Sequence, residues 1–224
     1  MSGNGTREDT TEQRLLDAAC KAFAEKGYHE ATVAGICRQA GANLAAVNYY
    51  FRSKENLYIE AWRRAFARGL TAHPPDGGVP PDAPPARRLA GRIDAVVHRI
   101  MDPESYDFDM IHHEHARPTG LLAEITHEAI EPLRRETIAV VRELLGPGAS
   151  ERTVWLCGMS VMAQCFHVLL RKRARRDAAT ATPPGPDLEF SPDLIARHVT
   201  RFSLAAIGEL RRRIERGEGR RMEA

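Results

Sequence analysis

The sequence lacks several features that would mark a function class at once. It has no run of about 18 apolar residues, so no membrane-spanning helix and no membrane partner are expected. It lacks charge of one sign: 32 Lys and Arg meet 30 Asp and Glu, so no global basic field announces nucleic acid. Residues 1–70 hold 10 Lys/Arg and 8 Asp/Glu, so any DNA contact must rest on a few placed side chains. The four cysteines, Cys20, Cys37, Cys157 and Cys165, form no CxxC pair, which argues against a zinc knuckle. Cys157 and Cys165 fall on one predicted helix about 12 Å apart, too far for a disulfide. All four read as small buried hydrophobes in a reducing compartment. The opening SGNGTREDTTE lacks a signal peptide's apolar stretch, so the chain is expected to stay in the cytoplasm. No nucleophile–base–orienter set and no GxxxxGK[ST] loop is present, so neither an enzyme nor a cofactor is expected. No strand pattern and no repeat persists.

What is present centres on Thr32 to Lys54. Val33, Ile36, Cys37 and Ala40 recur at helical spacing and form one apolar face. Thr32 is a suitable N-cap, Gly41 a left-handed helix end, and Asn43 a second N-cap opening a helix through Tyr50. Helix, glycine turn and helix is the helix-turn-helix layout, whose second helix enters the DNA major groove. Val47 and Phe51 are core by spacing. Upstream, Thr10 and Gln13 have capping-box spacing. They open a helix with Leu15, Leu16, Ala18, Ala19, Ala22 and Phe23 inward, which stops at Gly27. Tyr28 plugs that core's edge. Ser53 caps a fourth helix with Leu57, Tyr58, Ala61, Trp62, Ala65 and Phe66 in its stripe.

These residues carry a family resemblance. GANLAAVNYYFRSKENLY resembles the recognition helix and following segment of the TetR family of bacterial transcriptional repressors, and RLLDAACKAFAEKGYHEATVAGICRQAG resembles its first two helices. NLAAVNYYF further resembles the CecR-like subgroup. So does EHARPTGLLAEITHEAIEPLRRETIAVVRELLG with GMSVMAQCFHVLLRKRA, which is similar to that subgroup's ligand-binding domain. The resemblance implies base-facing Asn43, Leu44, Ala45, Ala46 and Asn48, with phosphate grips at Tyr49, Tyr50 and Lys54. The chemistry agrees. Asn pairs with adenine's N6/N7 edge, Ala and Leu meet a thymine methyl, and Tyr and Lys suit phosphate oxygens. Thr32 stands at a helix start, where phosphate also binds. The competing reading makes Tyr49 or Tyr50 core.

Further on, residues 71–87 hold six of the 14 prolines in three doublets and read as a long surface connection. Helical period returns from Ala86, with Leu89, Ile93, Val96, Val97, Ile100 and Met101 on one face. A long helix after Pro118 carries Pro132 as a kink or break. Ser150 caps a helix of about 25 residues that ends in the basic run Arg171–Arg176, suited to a helix C-terminus or to DNA. Ser191-Pro192 opens a last helix. Residues 1–9 read as a disordered arm and 177–190 as a loop.

The expectation is an all-α protein of about nine helices. Residues 10–53 are the helix-turn-helix domain, and residues 54–215 are a ligand-binding and dimerisation domain. It should repress transcription as a homodimer on a palindromic double-stranded DNA operator and be released by a small-molecule effector. The dimer seam is placed on Val161, Val168, Phe202 and Ile207. The effector pocket is placed between Trp62 and Phe66, the helix carrying Val97 and Met101, and Trp155, Met159, Met162 and Phe166. Glu114 and Arg117 supply polar contacts. No metal site is assigned. The competing class is a metal sensor or small metal-dependent enzyme using His112 to His115, of which His112 and His115 share a helix face. A third reading is a DNA-binding protein without effector.

Overall fold

Thr10 starts the first helix as its sequence demands. Its hydroxyl accepts from the Gln13 amide at 3.3 Å, while the Gln13 side chain accepts from the Thr10 amide at 3.0 Å. A computed structural model describes residues 10–176 and 190–217, the side chains of 168–176 excepted. The arm at 1–9, the loop at 177–189, Val168 as a seam residue and the Arg171–Arg176 cations lie outside the described residues or side chains.

Among the described residues the chain forms nine α-helices and no strand. They are α1 (Thr11–Glu30), α2 (Val33–Ala40), α3 (Leu44–Tyr50), α4 (Lys54–Ala72), α5 (Pro85–Met101), α6 (Asp107–Ala116), α7 (Ala123–Leu145), α8 (Glu151–Arg176) and α9 (Pro192–Glu215). α1 runs one turn past its expected stop. Gly27 kinks it at φ 72° and helix resumes to Glu30, because glycine holds the left-handed turn without strain. α7 passes through Pro132 without ending. No described helix is long and apolar enough to cross a membrane.

The helices fall into two compact units. One takes in the chain to Gly69 together with Glu104–His127, and the other takes in Leu70–Pro103 and the residues from Glu128 onward. In the first unit, Leu15, Ala19, Phe23, Ile36, Val47, Leu57, Tyr58 and Trp62 are all buried. Small residues let α1 and α4 approach, and the Cys20 thiol donates to the Ala61 carbonyl at 3.1 Å. Arg64 forks onto both oxygens of Asp17 at 2.8 and 2.9 Å and fixes the same two helices from outside. α6 joins this unit against α1. His113 Nε2 donates to the Ala24 carbonyl, which lies next to the Gly27 kink.

In the second unit, α5 packs on α8 and α9. Leu89, Ile93, Val97, Val141, Leu145, Val154, Val161, Val199 and Ile207 form the core. The proline-rich segment is docked as a series of turns. Gly77 N–H donates to the Pro74 carbonyl at 2.8 Å and Ala83 N–H to the Pro80 carbonyl at 3.1 Å. A Cβ on Gly77 would lie 2.5 Å from the Gly91 carbonyl oxygen, so glycine alone permits this approach of loop to helix. The seam assigned to Val161 and Ile207 is corrected here. Both are about 2–3 % exposed and belong to the unit's own core. The outward residues of these helices are Trp155, Leu156, Met159 and Phe166 on α8, with Leu194 and Phe202 on α9.

Candidate functional site

α3 has only seven residues, too few to be stable alone, so its neighbours must hold it. One side chain does most of this. Val47 is 2 % exposed and contributes roughly 1.5–3 kcal/mol by burial. Thr32 caps α2 through its hydroxyl, which accepts from Gly35 N–H at 3.1 Å. Gly41 then closes α2 at φ 61°. Asn43 caps α3, its Oδ1 accepting from Ala46 N–H at 2.9 Å, and the Cys37 thiol donates to the Asn43 carbonyl at 3.5 Å. The two helices of the motif are thus fixed at both ends of their turn.

With Val47 inward, the rest of α3 turns out. Asn43, Leu44, Ala45, Asn48, Tyr49 and Tyr50 are exposed and Ala46 is half-buried. Tyr49 is 79 % and Tyr50 40 % exposed, so neither is core, while Phe51 is buried as its spacing required. The two tyrosines meet edge to face at 4.9 Å. Asn43 and Asn48 differ. The Asn43 carbonyl oxygen is spent on its own helix, whereas the Asn48 amide bonds to no described residue.

Lys54 opens α4 with its ammonium 4.4 Å above the Tyr28 ring. Tyr28 in turn donates to Glu55 at 2.7 Å. Burial pushes the Lys54 pKa down, against the pull of Glu55. The Tyr28 phenol is pushed up to about 12, first by burial and then by Glu55. Sequence spacing carried no sign of this support, because Tyr28 and Lys54 lie on different helices.

The expected effector residues separate. Trp155, Met159, Met162 and Phe166 line one open groove of about 330 Å³ between α8 and the α7 residues Arg134, Thr137 and Ile138. Its polar groups are already occupied, since Thr137 donates to the Leu133 carbonyl and Arg134 forks onto Glu131. The groove therefore offers apolar contact. Val97 is sealed in the core and Met101 packs against it. Trp62 and Phe66 stack on each other at 4.9 Å in the other unit. Glu114 accepts from the Thr119 and Gly120 amides at 2.8 Å and from the Tyr58 hydroxyl at 3.4 Å, while Arg117 pairs with Glu30. None of these six lines the groove.

Two histidines of the cluster have backbone partners. His113 and His115 each bond a backbone carbonyl, Ala24 and Ile111. Among the described residues, the grouping close enough to share a metal is Asp94, His98 and Asp193, which includes none of them. Both nitrogens of His98 are engaged there, with the Asp94 carbonyl at 2.9 Å and Asp193 at 3.1 Å.

Residues 15–61 match the family described as bacterial regulatory proteins, tetR family. Residues 85–207 match the C-terminal domain of the HTH-type transcriptional dual regulator CecR. The HTH-type transcriptional regulator BetI of Escherichia coli K12 is 42% identical over 52 residues, which is 23% of this chain and 26% of BetI. That match spans about a quarter of the relative's length. Among solved structures, a TetR-like transcriptional regulator from Rhodococcus sp. RHA1 aligns with TM-score 0.67 at 17% identity, covering 91% of this chain and 98% of that one. The TetR family transcriptional regulator PfmR from Thermus thermophilus aligns with TM-score 0.60 at 22% identity, covering 86% and 97%. At such identities the likeness is one of fold. These are regulators and not enzymes, which sets aside the enzymatic reading of His112 to His115. A tetR-type helix-turn-helix, followed by a CecR-type helical domain over more than half of the chain, places this protein in the TetR family of DNA-binding transcriptional regulators.

Proposed function

We propose that the protein represses transcription as a homodimer on a palindromic operator and is released by a small apolar or amphipathic effector. Residues 10–53 read DNA, and residues 54–215 dimerise and bind the effector. The work is done in the cytoplasm, where the operator is. Asn48, Leu44, Ala45 and Ala46 meet base edges, with the Asn43 NH₂ group beside them. Thr32, Tyr49, Tyr50 and Lys54 hold phosphates. One observation carries the reading: α3 buries Val47 and exposes Leu44, Ala45, Asn48, Tyr49 and Tyr50, with the Asn48 amide unspent.

Leu156 on α8 with Leu194 and Phe202 on α9 forms the dimer seam. These large apolar groups are all more than 40 % exposed in one chain. A two-fold dimer then sets two α3 helices about 34–36 Å apart, one turn of DNA. The effector occupies the groove of Trp155, Met159, Met162 and Phe166. Occupation favours a bundle in which the half-site spacing is lost, a coupling of about 1–3 kcal/mol.

Selection from a random-sequence DNA pool with the full chain tests the reading. It should enrich an inverted repeat with half-site centres about 10 base pairs apart. Enrichment of nothing, or of an unpaired half-site, contradicts it.

A further inference from the structure

Arg52 is the only described non-glycine residue with a positive φ, at 68°. It stands directly after the recognition helix. Phe51 and Arg52 N–H groups both donate to the Val47 carbonyl, at 2.8 and 3.1 Å, which closes α3 in a left-handed turn. Ser53 follows at once as the cap of α4, its hydroxyl accepting from Asn56 N–H at 3.2 Å. The turn from α3 to α4 is therefore tight, and its left-handed residue is pinned between two capped helix ends. Glycine is the usual residue at such a helix end, because a Cβ there crowds the carbonyl. An arginine at this position is strained, and strain of this kind concentrates at functional sites.

The side chain has no bonding role within the described structure to offset that strain. It is exposed and bonds to no described residue. Most other described arginines of this unit are committed: Arg14 to the Ala40 carbonyl, Arg63 to Glu60, Arg64 and Arg68 to Asp17, and Arg117 to Glu30, while the Arg38 side chain on α2 is, like that of Arg52, exposed and bonds to no described residue. Arg52 is thus a cation without a described partner between Tyr50 and Lys54, at the edge of the outward face of α3. No described carboxylate pairs with it, so its charge is available to a polyanion.

We infer that Arg52 is a phosphate-contacting residue of the DNA interface, kept in a strained backbone position because its charge grips the duplex beside the recognition helix. The inference rests on the reading of α3 as the DNA-binding helix. Because the contact is to backbone phosphate, it acts on DNA of any sequence and needs no known operator.

Three substitutions in the full chain test it: Arg52→Asn, Arg52→Lys and Lys54→Ala. Asn tolerates the left-handed region, so Arg52→Asn removes the charge without forcing a new turn. Binding to a mixed-sequence 30-base-pair duplex is followed by fluorescence anisotropy across a salt series, and melting temperature is measured alongside. Arg52→Asn should melt no lower than the parent, and its plot of log affinity against log salt should be flatter by about one phosphate per subunit. Arg52→Lys should recover the parent slope. If Arg52→Asn melts lower with an unchanged slope, the guanidinium serves only the C-terminal end of α3, and the inference is overturned. If Lys54→Ala flattens the slope and Arg52→Asn does not, the inference alone fails. If neither changes the slope, the placement of α3 on DNA fails with it.

Discussion

The Lys54 ammonium rests 4.4 Å above the ring of Tyr28, and the hydroxyl of the same tyrosine donates to Glu55 at 2.7 Å. One aromatic side chain from the end of α1 thus fixes the first two residues of α4. An ammonium over an aromatic face gains about 0.5–1 kcal/mol at an exposed site. Tyr28→Phe keeps the ring and loses the hydroxyl bond, whereas Tyr28→Leu loses both. DNA affinity should fall in the order parent, Tyr28→Phe, Tyr28→Leu. Combined with Lys54→Ala, the loss from Tyr28→Leu should shrink by roughly 0.5–1 kcal/mol. Fully additive losses in that double-mutant cycle would show that Tyr28 does not position Lys54.

Two glycines allow close packing in different ways. A Cβ on Gly91 would overlap the Asp76 carbonyl oxygen, which is backbone, and one on Gly158 would overlap Ile138 Cδ1, the end of a side chain. A side-chain tip can rotate away and a docked backbone cannot. Gly91→Ala should therefore cost about 1–3 kcal/mol by overpacking, and Gly158→Ala clearly less. Thermal melting of both variants checks the order. Equal losses would mean that the loop at 73–84 yields as easily as a side chain does.

Local signals in the sequence were readable because local chemistry settles them. The Thr10–Gln13 box, the left-handed Gly41, the Asn43 cap and the Ser191-Pro192 start all act within four residues. The inward Val47 and Phe51 were readable from spacing for the same reason, whereas the outward set on α3 was implied by the family resemblance. What failed depends on other helices. Val161 and Ile207 are apolar at helical spacing, but which side of α8 and α9 faces inward is decided by α5. Val97 and Met101 went into a core for the same reason, leaving the groove to α7 and α8. The kink at Gly27 lets α1 resume, and nothing in a glycine distinguishes a kink from a stop.

The four thiols should be slow to react. Burial pushes Cys20 and Cys165 up to about 12 and raises Cys37 and Cys157 as well. The thiolate is the reactive form, so at pH 8 the folded chain holds less of it than the unfolded chain, whose cysteines titrate at about 8.5. Native protein should react with a thiol reagent far more slowly than denatured protein, which should show four thiols. Rapid stoichiometric labelling of one thiol in the native chain would show that the site opens to solvent.

Phe202 is 59 % exposed on α9. Phe202→Glu should leave the monomer fold intact and split the proposed dimer, because a carboxylate cannot be left unpaired in an apolar seam. Sedimentation at micromolar concentration should give about twice the chain mass of 24.9 kDa for the parent and one chain mass for the variant. A monomeric parent would remove the two-half-site arrangement. In the same dimer, Met159→Trp should block the effector response and spare operator binding. Loss of both would make Met159 structural.

The most direct test sets Asn48 against Lys54, since the account requires them to fail differently. The Asn48 amide is exposed on the second turn of α3 with no bond to any described residue, among neighbours that are alanine and leucine. It is the group suited to read a base. Lys54 lies outside the helix and offers charge. Operator and scrambled duplex, the operator taken from the selected sequence, are titrated across a salt series with both variants. Asn48→Ala should lose about 1–3 kcal/mol per half-site on operator alone and relax preference at one base pair. Lys54→Ala should weaken both duplexes alike and flatten the salt slope by about one phosphate per subunit. If Asn48→Ala binds operator and scrambled DNA with the parent's preference unchanged, α3 does not read sequence through Asn48 and the assignment of the interface is wrong.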